Sequence, residues 1–187
     1  MDAATQFNLA KVDHVPVDKA AAIARYRKAA AQGHRNAQFN LGWAYANGDG
    51  VPVDEYAAAA WYRKAADQGH KFAQFNMGRR CNDGDGVPVD KVAAVAWNRK
   101  AAEQGIPDAQ YYLALAYLTG DGVPMSKASS LAWLHKAAQL GHADAQYDLG
   151  LSYSTGDGVP VDKAAGLEWT RRAAEHRAFS GHSGLVR

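Results

Sequence analysis

The chain has a single cysteine, Cys81, which excludes an intramolecular disulfide and any site built from several thiolates. Long apolar runs are missing too. Nowhere do about 18 apolar residues follow one another, so no membrane-spanning helix is expected. The first fifteen residues lack a basic stretch followed by an apolar one, so no signal peptide is read. Charge of one sign is scarce: 21 Lys and Arg face 19 Asp and Glu, a net charge of +2. That balance gives no general reason to expect nucleic acid or a membrane surface as partner. Together these absences point to a reducing compartment, the cytoplasm; a periplasmic or secreted chain stripped of its leader would read the same.

What is present is a repeat. Gly-Asp-Gly-Val-Pro begins at Gly48, Gly84, Gly120 and Gly156, 36 residues apart each time. The same period carries Ala37, Ala73, Ala109 and Ala145, each followed by Gln and an aromatic (Phe39, Phe75, Tyr111, Tyr147), and then Trp61, Trp97, Trp133 and Trp169. An Ala-Ala pair follows each tryptophan, at Ala65, Ala101, Ala137 and Ala173. Pro16 and Ala29 extend the register to an amino-terminal copy. Gln6-Phe7-Asn8-Leu9 matches Gln38-Phe39-Asn40-Leu41 at an offset of 32, so that first copy is four residues short. Self-similarity at this period is the mark of a solenoid.

Each copy reads as two helices. Helix A spans about 36–47, with Ala37, Leu41 and Tyr45 on one face. Gly42, Gly78 and Gly150 lie inside it, where glycine is unfavourable unless another helix approaches closely. The Gly-Asp-Gly segment ends helix A, and Pro52 fixes the turn. Asp54, Asp90, Ser126 and Asp162 stand where helix B wants an N-cap acceptor. Helix B spans about 55–68, with Ala58, Trp61, Tyr62 and Ala65 toward the core, and is stopped by Gly69, Gly105 and Gly141. Asp108 and Asp144 are expected to cap the next helix A. The reading is one all-α solenoid domain over 1–175: a clipped repeat at 1–35, repeats at about 36–71, 72–107, 108–143 and 144–175, and an irregular tail at 176–187. A single helical pair cannot bury its apolar face, but stacked pairs can.

Ala-x-x-Leu-Gly-x-x-Tyr, then Gly-x-Gly-Val, then Trp-x-x-Lys-Ala-Ala-x-Gln-Gly resembles the Sel-1-like repeat, a relative of the tetratricopeptide repeat, over about 6–175. The resemblance implies a right-handed superhelix of antiparallel helix pairs acting as an adaptor or scaffold for proteins. Penicillin binding, linked to cysteine-paired relatives, does not carry over to a chain without those pairs. A hydrolase or penicillin-binding activity is therefore the disfavoured alternative. A structural subunit assembling through its ends is another.

The residues offer no catalytic, cofactor or metal site. Asp49 and Asp54 are too few for a calcium loop, which needs carboxylates at alternate positions and a closing bidentate Glu. No Walker-type string, serine elbow or nucleophile–base pair occurs, so the chain is read as no enzyme. His34, His70 and His142 share one repeat position with Ile106, which suggests packing. Cys81 stands in the column of Tyr45, Tyr117 and Tyr153, a core position where the missing ring would leave a cavity.

Function is sought where the copies differ. In tetratricopeptide-like solenoids helix A lines the concave face. Its variable columns give a candidate protein-binding groove of Asn40, Trp43, Asn47, Asn76, Arg79, Arg80, Asp83, Tyr112, Leu115, Thr119, Asp148 and Leu151. Trp, Tyr and Arg are the usual anchors of such contacts, here Trp43, Arg79 and Tyr112. Arg27-Lys28, Arg63-Lys64, Arg99-Lys100, His135-Lys136 and Arg171-Arg172 recur near the ends of the B helices. They are expected to offset helix dipoles, with an acidic partner as the alternative. Apolar surface at an unsealed end, such as Leu167 and Trp169, is expected to be covered either by end-to-end self-association or by docking of the tail through Phe179, Leu185 and Val186.

Overall fold

The computed structural model describes residues 18–182, and side chains as far as residue 177. Its elements are helices α1 (Lys19–Ala31), α2 (Arg35–Asn47), α3 (Glu55–Asp67), α4 (Lys71–Asp83), α5 (Lys91–Glu103), α6 (Pro107–Thr119), α7 (Lys127–Gln139), α8 (Ala143–Thr155) and α9 (Lys163–His182). No strand occurs among the described residues. The chain is an all-α repeat fold whose packing gathers into two compact units, divided between Lys100 and Ala101.

The helices begin and end where local chemistry dictates. Asp54 accepts from the Ala57 amide at 2.9 Å, Asp90 from Ala93 at 2.9 Å, Ser126 from Ser129 at 3.2 Å and Asp162 from Ala165 at 2.9 Å. Gly48 closes α2 with φ 70°, a left-handed C-cap that a side chain would disfavour. The Asp54 amide then donates back to the Tyr45 carbonyl at 3.0 Å, closing the Gly-Asp-Gly-Val-Pro turn. Equivalent bonds join Asp90 to Cys81, Ser126 to Tyr117 and Asp162 to Tyr153.

Histidine caps α2, α4 and α8, at α8 in place of the expected Asp144. Nδ1 of His34, His70 and His142 accepts from the amides of Ala37, Ala73 and Ala145 at 3.4, 3.2 and 3.2 Å. Asp108 and Asp144 lie inside the first turn instead, where their charge suits the helix dipole. His70 also stacks on Phe39 at 4.4 Å, and His142 on Tyr111 at 4.5 Å. The histidine column is therefore both packing and cap. Ile106 makes no side-chain cap, and Pro107 follows it as a first helical residue with no amide to satisfy.

At the centre of α2, α4, α6 and α8, Leu41, Met77, Leu113 and Leu149 are fully buried, each contributing about 1.5–3 kcal/mol by removal from water. In unit 1 the core gathers Ile23, Ala29, Ala37 and Leu41 under Tyr26 and Trp61. In unit 2 it gathers Ala114, Leu134, Ala145 and Leu149 under Tyr111, Trp133 and Trp169. A Cβ on Gly42 would lie 2.6 Å from the Tyr62 ring, so glycine there permits the close approach of α3.

Buried glutamines tie each of these helices to the one before it. Nε2 of Gln38, Gln74, Gln110 and Gln146 donates to the carbonyls of Ala30, Ala66, Ala102 and Ala138 at 3.0–3.2 Å. Their acceptor ends fare differently. Gln38 Oε1 accepts from Gln68 at 2.7 Å, and Gln146 Oε1 meets His176 Nδ1 at 2.9 Å. Gln110 Oε1 is buried with no hydrogen-bond partner, because Leu140 stands where those partners stand.

The carboxyl end differs from expectation. Residues 176–182 continue α9 rather than forming an irregular tail. No glycine follows Glu175 as it does in the other copies, so nothing stops the helix. Arg177 pairs with Asp144 at 2.6 Å and helps hold this extension to α8. Trp169 is half-buried against the unit 2 core, whereas Leu167 is exposed. The side chains of Phe179, Leu185 and Val186, residues 183–187, and the clipped copy's Gln6–Leu9 and Pro16 lie outside the described residues.

Candidate protein-binding site

In unit 1, α2 and α4 bring five of the expected groove residues around one polar pocket of about 270 Å³: Trp43, Asn47, Asn76, Arg79 and Arg80. Trp43 is 47% exposed. Asn47 Nδ2 donates to the Trp43 carbonyl at 2.8 Å. Arg79 is exposed and, among the described residues, makes no ion pair. Asp83, one turn further on, accepts from Asn82 at 2.7 Å.

Arg80 is not the free groove cation that its column suggested. It is 7% exposed. Its guanidinium donates to the Glu55 carboxylate at 2.6 Å and to the carbonyls of Glu55 and Asp85 at 3.3 and 3.0 Å. It also lies over the Tyr62 ring, 5.3 Å from the centroid. The cause is in the neighbouring columns. Lys19 pairs with Asp49 at 2.7 Å, and Lys127 pairs with Asp157, each bridging an odd-numbered helix to the following turn. Where those copies have lysine, the α3 copy has Glu55, which would face Asp85 without a counter-charge. Arg80 supplies it. Burial pushes the Tyr62 hydroxyl up to about 12, against the opposing pull of Arg80, so the phenol remains a neutral donor.

Trp43 also walls a second unit 1 pocket of about 200 Å³, with Ile23, Tyr26, Asn40 and Ala44. In unit 2 a comparable pocket of about 200 Å³ lies among Leu115, Leu118, Leu131, Leu134 and Asp148. Asp148 is engaged, accepting from the Tyr111 hydroxyl at 2.9 Å. Burial and that bond raise the Tyr111 pKa. Tyr112, Thr119 and Leu151 lie on α6 and α8 outside this lining, with Thr119 donating to the Leu115 carbonyl at 3.1 Å. The odd-numbered helices' share, including Ile23, Tyr26 and Leu131, was missed because only helix A columns were compared. The Lys and Asp columns 30 residues apart would have pointed to it.

The basic pairs serve packing. Lys64, Lys100, Lys136 and Arg172 lie 4.0–4.9 Å over the rings of Trp61, Trp97, Trp133 and Trp169, a cation–π contact worth about 0.5–1 kcal/mol where exposed. Arg27 donates to the Tyr45 hydroxyl at 3.0 Å, and His135 meets the Tyr153 hydroxyl at 3.0 Å. Cys81, in that tyrosine column, is buried. Burial pushes its thiol pKa up, with Arg63 opposing. Among the described residues no group of three His, Cys, Asp or Glu could hold a metal ion. Nor is any described helix long and apolar enough to cross a membrane.

A family model for the Sel1 repeat matches residues 3–34, 35–70, 71–106, 107–142 and 143–177. The chain belongs to the Sel1 repeat family. Two solved Sel1-type structures are similar over 93% of the chain. The protective antigen c5321 of uropathogenic Escherichia coli, described as displaying an SLR fold, is 38% identical with a TM-score of 0.88. A Sel1 repeat protein from Oxalobacter formigenes is 33% identical with a TM-score of 0.87. The chain spans 38% of the first and 73% of the second. The immunity protein Pa5087 of Pseudomonas aeruginosa, 24% identical with a TM-score of 0.54, shares the fold; the match covers 93% of this chain and 66% of that one. No curated protein matches the chain. Sel1 repeat proteins generally mediate protein–protein interaction and are typically non-enzymatic.

Proposed function

We propose that this Sel1 repeat chain is an adaptor or scaffold that captures a protein or peptide on the exposed faces of its even-numbered helices. The observation that carries this reading is the division of labour between columns. Positions such as Leu41, Met77, Leu113 and Leu149 are uniformly apolar and buried. The neighbouring column varies from Trp43 to Arg79, Leu115 and Leu151, and all four are exposed. Tryptophan and arginine on an exposed face are the residue types that dominate binding energy. The same reading gives Cys81 no part as a nucleophile: it is buried, with its pKa raised rather than lowered, the reverse of an activated thiol.

The test is capture from cells of the source organism on the immobilised chain, beside Arg79→Glu in unit 1 and Leu115→Asp in unit 2. A partner held by the native chain and lost by either variant, with helicity unchanged, is the expected result. A partner held equally by all three would move the site off these faces.

A further inference from the structure

Trp43 stands between two pockets of different character, the α4-side one the more polar. On its α1 side, Ala22, Ile23, Tyr26 and Ala44 give an apolar wall within a lining that Asn40, Lys19 and Asp49 complete. The charges at that pocket's edge, Lys19 and Asp49, neutralise each other. On its α4 side the lining is polar: Asn47, Asn76, Arg79 and the Tyr62 ring surround the opening. Here the charges do not cancel. Arg80 is matched by Glu55, whereas Arg79 makes no ion pair among the described residues; Asp83, one turn further along α4, keeps its charge but is turned to the Asn82 amide. The pocket therefore presents one guanidinium outside any ion pair, beside amide groups able to donate hydrogen bonds.

We propose that Trp43 partitions a two-compartment site in unit 1, which takes an extended segment of a partner protein with an aliphatic side chain in the α1-side pocket and an Asp or Glu carboxylate in the α4-side pocket. This rests on the adaptor reading and names the chemistry of its partner. A carboxylate suits the planar guanidinium fork, and Asn40 and Asn76 on either side of Trp43 can pair with the peptide backbone. The unit 2 pocket among Leu115, Leu118 and Leu131 has no arginine in its lining. The unit 2 residues at the Arg79 position are Leu115 and Leu151, so the acidic preference belongs to unit 1.

The experiment uses the full chain against arrays of degenerate nine-residue peptides carrying a fixed Leu and, near it, a fixed Glu, Gln or Lys. The native chain is expected to retain the Glu series at least ten-fold more strongly than the Gln series. Arg79→Glu is expected to shift the preference to the Lys series, and Trp43→Ala to weaken every series. Both sites are exposed, and circular dichroism checks that each variant folds. Equal retention of the Glu and Gln series, or an unchanged preference in Arg79→Glu, would overturn the acidic compartment while leaving the adaptor role standing. Stronger retention of an oligothymidine than of any Glu peptide would overturn it in favour of a polyanion. Retention of no peptide would overturn the site, and the capture experiment with Leu115→Asp would then decide the adaptor role separately.

Discussion

The seam joining α7 to α8 in unit 2 and the seam joining α3 to α4 in unit 1 occupy the same repeat position but are held in opposite ways. In unit 2 a lysine from the odd-numbered helix, Lys127, meets Asp157 of the following turn across solvent. In unit 1 the odd-numbered helix offers Glu55, and Arg80, in a column also buried at Ala44 and Ala116, satisfies it across the seam. Where the unit 2 seam keeps an open pocket beside Ser152, the unit 1 seam is filled by a side chain with three acceptors. A charge reversal at one position has thus been absorbed by a substitution 25 residues away.

Breaking the filled seam should have the largest effect. Arg80→Ala leaves Glu55 facing Asp85 and empties the space, and should cost about 2 kcal/mol. That lies below the usual cost of breaking a buried pair, because Glu55 is partly in water. Adding Glu55→Lys should recover more than half of the loss by recreating the Lys19–Asp49 arrangement, as read by urea denaturation. No recovery would mean that Arg80 acts through packing on Tyr62 rather than through charge.

A repair in unit 2 should be smaller and of opposite sign. Leu140→Gln supplies the donor that Gln110 Oε1 lacks, following the bond between Gln38 and Gln68. Leu140 is 54% exposed, so little apolar burial is given up. A gain of about 1 kcal/mol is expected from a net hydrogen bond. An unchanged denaturation midpoint would show that water already serves that oxygen.

The smallest effect concerns pH. Burial, with Arg35 adding to it, lowers the His70 pKa from 6.5. Unfolded, the imidazole takes its proton near that value. Folded, its Nδ1 must stay free to accept from Ala73. The stabilisation is therefore complete above about pH 6.5 and is lost as pH falls from there through the lower folded pKa. His70→Asn keeps a capping side chain without a titrating group. Its melting temperature should fall less than that of the native chain between pH 7 and pH 5. Parallel declines would place the acid sensitivity elsewhere.

The repeat made the fold largely readable in advance. Gly-Asp-Gly-Val-Pro, with Asp54 and its equivalents two residues later, placed the A-to-B turns, and the glycines at Gly42 and Gly78 announced close packing. What escaped was chemistry that depends on two columns at once. Asp108 and Asp144 were expected as caps because carboxylates are the usual choice, whereas His142, two residues before Asp144, both caps and stacks, and α6 begins at Ile106 with no side-chain cap. Arg80 looked like a groove residue while its column was considered alone; only beside Glu55 does its burial make sense. The extension of α9 was hidden because a tail without periodicity reads as a coil, although Arg177 stands where Gly69, Gly105 and Gly141 end the other copies. Trp43 and Arg79 were singled out from sequence, but the apolar wall from α1 was not, since odd-numbered helices were taken as scaffold.

The glutamine ties have a bearing on how the chain is made. Each joins residues 8 apart, the Gln38–Gln68 bond spans 30, and the Tyr111–Asp148 bond spans 37. None of these asks a segment to wait for a distant stretch of chain. Contacts this local favour rapid folding, so a nascent chain leaving the ribosome could seal α2 onto α1 before the tryptophan of α7 had been added. Each new helical pair would then find a finished surface already waiting, and assembly would keep pace with synthesis.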